Sequence, residues 1–196
     1  QSGSVWNSSK INLNDPFDFI FNVYLGCNDG NGADGMVFIL QPLSANLGAV
    51  GEGMGFLGVN PSVGIALDTW QNSNLNDQSF DHISIQLNGN SNHASDLAGP
   101  VQASGNSINI EDCKWHTLRI SWDPSAHWIR AYFDNVLRVQ AQIDLINRVF
   151  LGDPQLYWGF GASTGANHNQ QKFCTVLSSA FNTSITNNAS CIGSPI

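Results

Sequence analysis

Phe17-Asp18-Phe19-Ile20-Phe21-Asn22-Val23-Tyr24-Leu25 places Phe17, Phe19, Phe21, Val23 and Leu25 on one face of an extended chain. A period of two is the pleat of a β-strand, whereas a helix would scatter these five side chains around its axis. The same alternation recurs outward from this stretch, at residues 64–70, at 82–87 and at 115–122, where His116, Leu118, Ile120 and Trp122 share a side. Residues 35–40 form a continuous apolar run, the pattern of a strand buried on both faces. Asp123-Pro124-Ser125 and Asp134-Asn135 are turn signals that separate strands at 115–122, 128–133 and 136–139. Further strands are expected at 157–162 and 174–181, and only residues 141–147 suit a short helical turn. Many short strands joined by polar turns, with almost no helix, imply an all-β antiparallel sandwich or jelly roll.

Composition agrees with that reading. The 196 residues are 42% hydrophobic and 11% charged, with 19 Gly and 7 Pro, which suits one domain with a substantial core and argues against a helical bundle. Seven Lys and Arg against fifteen Asp and Glu give a net charge of -8, so there is no basic patch to neutralise phosphates and nucleic acid is excluded as a partner. No apolar run approaches the roughly 18 residues of a membrane helix. The chain has no initiating Met and no signal-like segment, and reads as a processed form or an excised domain.

Cys27, Cys113, Cys174 and Cys191 include no CxxC pair, so two disulfides formed in an oxidising compartment are expected rather than a structural zinc site. Three pairings remain open. The first ten residues, and the Ser/Asn-rich end after Thr183 unless Cys191 is bridged, are expected to be poorly ordered. Triplets for N-glycosylation begin at Asn7, Asn182 and Asn188, but arise readily by chance in a chain this rich in Asn and Ser.

All the acids except Glu52 and Glu111 are Asp, a short residue suited to turns and metal loops. The segment Asp68-Thr69-Trp70-Gln71-Asn72, followed by Asp77 and His82, leaves one expected strand and enters the next. Asp68, Asn72, Asp77 and the Trp70 carbonyl offer hard oxygens of the kind Ca²⁺ requires. The same residues serve equally as Asx turns, and spacing alone leaves both readings open.

Asp68 to His82 resembles the metal loop of the legume (L-type) lectins. Three more segments resemble that family in the order it uses: Gly32-Ala33-Asp34-Gly35-Met36-Val37-Phe38-Ile39-Leu40-Gln41-Pro42, Gly51-Glu52-Gly53-Met54-Gly55-Phe56-Leu57-Gly58, and Gly159-Phe160-Gly161-Ala162-Ser163-Thr164-Gly165. The likeness covers about residues 17–181 and is closer to a bacterial or generic member than to a plant seed protein. It implies a concanavalin A-like sandwich comprising one domain over residues 1–196, secreted or displayed at a cell surface, that binds glycans without catalysis. The domain is expected to be an adhesive module of a larger protein. By the resemblance, Asp34 accepts hydrogen bonds from two sugar hydroxyls, after a cis Ala33–Asp34 peptide, and Gly55 presents a backbone N–H. Trp70 stacks on the pyranose, Asn72 bridges metal and sugar, and Ala166 and Asn167 complete the pocket. Calcium is held by Asp68, Trp70, Asn72 and Asp77.

A transition metal such as Mn²⁺ would be held by Asp68, Asp77 and His82, but Ala66 stands where the family has a Glu ligand. The second metal is therefore in doubt, with Asp81 as a candidate substitute. Trp122, Trp128, Phe19 and Phe21 read as core or sheet-face residues, and His93, His127 and His168 as surface residues. Two other readings are a glycoside hydrolase on a related sandwich and a protein-binding sandwich without a sugar site.

Overall fold

The computed structural model describes residues 1–47 and 51–179. Among them are twelve strands: β1 (Ser2–Trp6), β2 (Ile11–Asn12), β3 (Phe17–Tyr24), β4 (Gly35–Gln41), β5 (Val63–Asp68), β6 (His82–Leu87), β7 (Ala98–Gln102), β8 (Trp115–Asp123), β9 (Trp128–Phe133), β10 (Val136–Gln142), β11 (Gln155–Ser163) and β12 (Lys172–Ser178). A single helical turn, α1 (Leu145–Arg148), follows β10. The larger sheet runs β1-β11-β4-β5-β6-β7 with β2 added to β11, and the smaller runs β10-β9-β8-β3-β12. The described strand pairs are antiparallel, and neither sheet closes into a barrel.

The core lies between the sheets. β3 alternates strictly, burying Phe17, Phe19, Phe21 and Val23. From the smaller sheet, Phe19 and Phe21 meet Phe38 and Trp158 of the larger at ring-centroid distances of 5.0 to 5.9 Å, and Phe21 meets Phe160 edge-on at 4.9 Å. Such aromatic contacts add to the area they bury.

β4 and β5 are buried on both faces because the larger sheet is covered outside as well. Val37, Ile39 and Ala66 on its outer face pack against Met54 and Phe56 from the segment after residue 50. That segment can lie so close because two glycines face each other: a Cβ on Gly55, whose φ is +75°, would stand 2.7 Å from the Cα of Gly161.

Several expectations need correction. Residues 2–6 are ordered as β1, paired along β11 from Ser2↔Ser163 to Trp6↔Gly159. The helical turn is confined to Leu145–Arg148, because Ala141 and Gln142 still pair with Ile129 and Trp128. β5 stops at Asp68, where the chain turns into the loop, and β7 and β2 were not anticipated. Trp128 keeps its expected place on a sheet face, half-buried in β9 with Arg130 stacked 5.2 Å from its ring. Cys27 and Cys113 form a disulfide across a separation of 86 residues. Cys174 is disulfide-bonded too, while Cys191, the expected end of the last strand at residues 180–181, the tail after Thr183 and the triplets at Asn182 and Asn188 lie outside the described residues.

Candidate functional site

Strand register assembles the acids. Gly35 pairs with Asp68 and Asp68 with His82, so Asp68 and His82 share a row across β5 and β6, and Asp34 immediately precedes the β4 end of that row. The Thr69 N–H donates to the Asp34 carbonyl at 3.1 Å, and the Asp34 N–H donates to the Ser163 carbonyl at 2.9 Å, which ties Asp34 to the neighbouring strand ends. Its peptide with Ala33 is cis, as the resemblance implied. A Cβ on Gly35, at φ +126°, would stand 2.2 Å from the Leu67 carbonyl oxygen, so no other residue fits beside Asp34 without a shift.

The loop of residues 69–81 then folds Asp77 back against Asp68. Asn72 N–H donates to Asp77 Oδ2 at 2.8 Å and Gln78 N–H to Oδ1 at 2.7 Å, while Trp70 N–H donates to Asp68 Oδ1 at 3.0 Å. His82 Nε2 lies 3.0 Å from Asp77 Oδ1. A fourth side chain joins them. His93, in a 3₁₀ turn (His93–Ser95) after β6, places Nε2 3.1 Å from His82 Nε2, 3.5 Å from Asp77 Oδ1 and 3.9 Å from Asp68 Oδ2. One ligand atom from each of the four buried residues lies within 4.8 Å of the others.

His93 is thus buried and not a surface residue, a correction to the sequence reading. The Asn92 side chain caps its turn, and Asp96 accepts from His93 Nδ1 at 2.8 Å. Nothing in the spacing from His82 to His93 resembles a metal motif, and only the His-x-x-Asp pair hinted at an oriented imidazole. Asp81, the expected substitute for the missing Glu, faces elsewhere: its Oδ2 accepts the Ile110 N–H at 2.7 Å.

The electrostatics are those of crowded acids. Burial and the Asp68 charge push the Asp77 carboxyl up. Burial opposes charge on His93, but the nearby Asp68 carboxylate and the hydrogen-bonded Asp96, with the charge of Asp77, prevail and raise it to about 10. Asp34 is pushed up to about 6, first by burial and then by Asp68 and Glu52, with the N-terminal amine acting the other way. Asp81 is raised to about 7, chiefly by burial. A divalent cation would offset this surplus of buried negative charge.

Beside the cluster opens a depression of about 340 Å³ lined by Ala33, Asp34, Glu52, Trp70, Asn72, Gly165, Ala166 and Asn167. Asp34 Oδ2 is buried and has no partner, and the Asn72 side chain makes no bond to the turn it precedes. Five of the six expected sugar contacts, Asp34, Trp70, Asn72, Ala166 and Asn167, therefore share one depression. Gly55 does not line it and is buried against Gly161 instead. Glu52 lines it unexpectedly, and Asn74 Nδ2 lies 3.5 Å from Glu52 Oε2.

The loop carrying Ala166 and Asn167 is tethered to residues 28–33. His168 N–H donates to Asn31 O at 3.1 Å and Asn169 N–H to Ala33 O at 3.2 Å, while Gln171 Nε2 donates to the same carbonyl at 2.9 Å. Asn169 Nδ2 also bonds Asn28 O at 2.9 Å and the carboxylate of Glu111. Glu111 is buried and raised to about 8, mainly by that burial.

A family model described as the legume lectin beta-barrel domain matches residues 1–177. The chain belongs to the legume (L-type) lectin family. The lectin domain is similar in fold to the Bauhinia forficata lectin solved in complex with GalNAc (TM-score 0.71, 17% identity, 89% of this chain and 77% of that one). It is similarly related to lectin I-B4 of Griffonia simplicifolia in its metal-free form (TM-score 0.66, 24% identity, 90% and 81%), and to the winged bean acidic lectin complexed with methyl-α-D-galactose (TM-score 0.65, 18% identity, 89% and 77%). By sequence it is 24% identical to the pesticidal crystal protein Cry22Aa of Bacillus thuringiensis over 100% of this chain. The lectin domain spans only 31% of that relative's length. No helix among its described residues is long and apolar enough to cross a membrane.

Proposed function

We propose that this lectin domain binds glycans in the depression around Asp34, without catalysis and with a requirement for calcium, and that residues 1–196 act as one such domain. The observation that carries the reading is the buried Asp34 Oδ2, which has no protein partner and lies where Trp70, Asn72, Ala166 and Asn167 converge. A carboxylate in that situation needs donors, and adjacent sugar hydroxyls supply two at its own spacing. The half-buried Trp70 ring offers an apolar face for the pyranose, and the Asn72 amide a donor.

The donor set fits a hard cation: two buried carboxylates, an amide oxygen from Asn72 and a backbone carbonyl at Trp70 are the ligand types calcium takes. Asp68, Trp70, Asn72 and Asp77 would hold it. Bound calcium would fix the loop that carries Trp70 and Asn72 and neutralise charge beside Asp34. Asp34 is itself held by backbone bonds to Ser163 and Thr69, so the gripping carboxylate is preorganised, which reduces the ordering cost of binding.

Single-site affinity is expected to be modest because water already satisfies sugar hydroxyls, so avidity would come from display within a larger protein. The partial coverage of the Cry22Aa relative supports such a modular setting, and the Cys27–Cys113 disulfide supports a secreted or surface location. A glycan array with the wild type, with EDTA-treated protein and with Asp34→Ala tests the reading. Binding lost in both treated samples is expected, and binding that ignores both would overturn it. Hydrolysis is the second reading, favoured by Asp34 and Glu52 lining one depression, and release of reducing ends from bound oligosaccharides would establish it.

A further inference from the structure

His82 and His93 come from different elements, yet their Nε2 atoms lie 3.1 Å apart. Each ring is fixed from behind. His82 Nδ1 lies 3.0 Å from the Phe80 carbonyl, which can only accept, and His93 Nδ1 lies 2.8 Å from Asp96 Oδ2. The two Nδ1 atoms are thereby taken up by a backbone carbonyl and a carboxylate, which leaves both Nε2 atoms facing the acids. Both Nε2 atoms and Asp77 Oδ1 crowd within 3.0–3.5 Å of one another, and Asp68 Oδ2 lies 3.9 Å from His93 Nε2. The side chains of His82 and His93 are 1% and 2% exposed, so water does not screen them.

We propose that His93 is a metal ligand that fills the place left by Ala66, and that His82, His93, Asp68 and Asp77 form a nitrogen-rich site for a borderline transition ion of the zinc or cobalt(II) class. Asp96 and the Phe80 carbonyl act as positioning groups that aim the two imidazoles. The inference rests on the metal-dependent reading above for Asp68 and Asp77, which would then serve both ions.

The separations suit such an ion. Four ligands at about 2.0–2.1 Å around zinc define a tetrahedron with six edges of roughly 3.3 Å; four of the six separations here are 3.0, 3.1, 3.5 and 3.9 Å, and none exceeds 4.8 Å. Two imidazoles among the ligands shift the preference away from the oxygen-seeking ions. Ala66 lies between Val37 and Ser84 on the neighbouring strands and supplies no donor. A carboxylate behind a ligating imidazole is the recurrent way of fixing its orientation, and its loss costs 10–100-fold in affinity.

That zinc outcompetes manganese would say little, since almost any such site ranks the two that way. The test therefore reads the imidazoles. The full chain, stripped with a chelator and kept in excess calcium, is titrated with Zn²⁺ and separately with Co²⁺. Long-range ¹H–¹⁵N spectra follow the histidines, and the visible absorption of Co²⁺ reports its coordination. One ion per chain, with Nε2 of both His82 and His93 shifted and the strong absorption of four-coordinate cobalt, is the expected result. His93→Ala should lose at least about 100-fold in Zn²⁺ affinity, and Asp96→Asn, which keeps both ligands and guards against a misfolded first variant, about 10–100-fold. A zinc-bound spectrum in which only His82 shifts, or affinity unchanged in both variants, overturns the proposal. Glycan binding is measured in the same samples: its loss with zinc binding intact would refute the sugar reading alone, and the reverse would refute this one alone.

Discussion

Replacing Asp34 with Asn should separate function from stability in opposite directions. The side chain is 6% exposed, one carboxylate oxygen has no partner, and its pKa is pushed from 3.8 to about 6 by burial, Asp68 and Glu52. A rise of about two units corresponds to roughly 3 kcal/mol of unfavourable ionisation in the folded state, taken as an upper figure. Because the folded-state pKa is raised, the native protein holds this proton more tightly than the unfolded chain. The stabilisation is complete below about pH 4 and is lost as pH rises through 6. Asp34→Asn cannot ionise, so in calcium-free buffer at pH 7 it should be more stable than wild type by about 1–3 kcal/mol, and close to it at pH 4. Calcium should shrink the gain, since the cation offsets the same charge. Glycan binding should move the other way: two charge-assisted hydrogen bonds at about 1.5–3 kcal/mol each are weakened, enough to remove a millimolar-to-micromolar interaction. Urea unfolding at pH 4 to 8 in EDTA, with a parallel glycan titration, measures both. A variant less stable than wild type at pH 7, or one that retains glycan affinity, would refute the reasoning.

Asn169→Ala removes the amide that joins the Ala166–Asn167 loop to Glu111 and to the Asn28 carbonyl. It should cost about 1–3 kcal/mol in denaturant unfolding, and at least a tenfold fall in glycan affinity is expected. Glu111→Gln should flatten part of the stability loss that wild type shows between about pH 4.5 and 8, because the raised Glu111 carboxyl favours the folded state only while protonated; an unchanged pH profile would count against this. Gly55→Ala puts a Cβ 2.7 Å from Gly161 Cα at a positive φ, and thermal melts should show a loss of about 1–3 kcal/mol. Phe21→Ala opens the aromatic contact between the sheets and should cost about 3–5 kcal/mol by the same measurement.

The sandwich was legible because alternation is a local property. Phe17, Phe19 and Phe21 needed only their own spacing to declare a half-buried strand, and residues 35–40 needed only their continuity. β1 escaped notice because Ser2-Gly3-Ser4-Val5-Trp6 has no apolar face of its own; its pairing with β11 supplies the hydrogen bonds that order it. Residues 141–142 read as helix locally, yet complete β10 because β9 offers an open ladder beside them.

The candidate site divides along the same line. Asp34, Asp68, Trp70, Asn72, Asp77 and His82 could be named from the chain because they lie in short motifs with fixed order. Glu52 and His93 could not, since each reaches its neighbours through a fold of the chain: Glu52 on a segment laid across the outer face of the larger sheet, His93 on a turn after β6. Asp81 shows the converse, for adjacency to His82 suggested a shared site while strand alternation sent its carboxylate to Ile110. Sequence thus determined the sheets and the residue types at the site, because side-chain period and turn chemistry act over a few residues. Which acceptors meet, and that two imidazoles face each other among acids, was decided only in the tertiary structure, because strand register and loop return bring together groups that are distant along the chain.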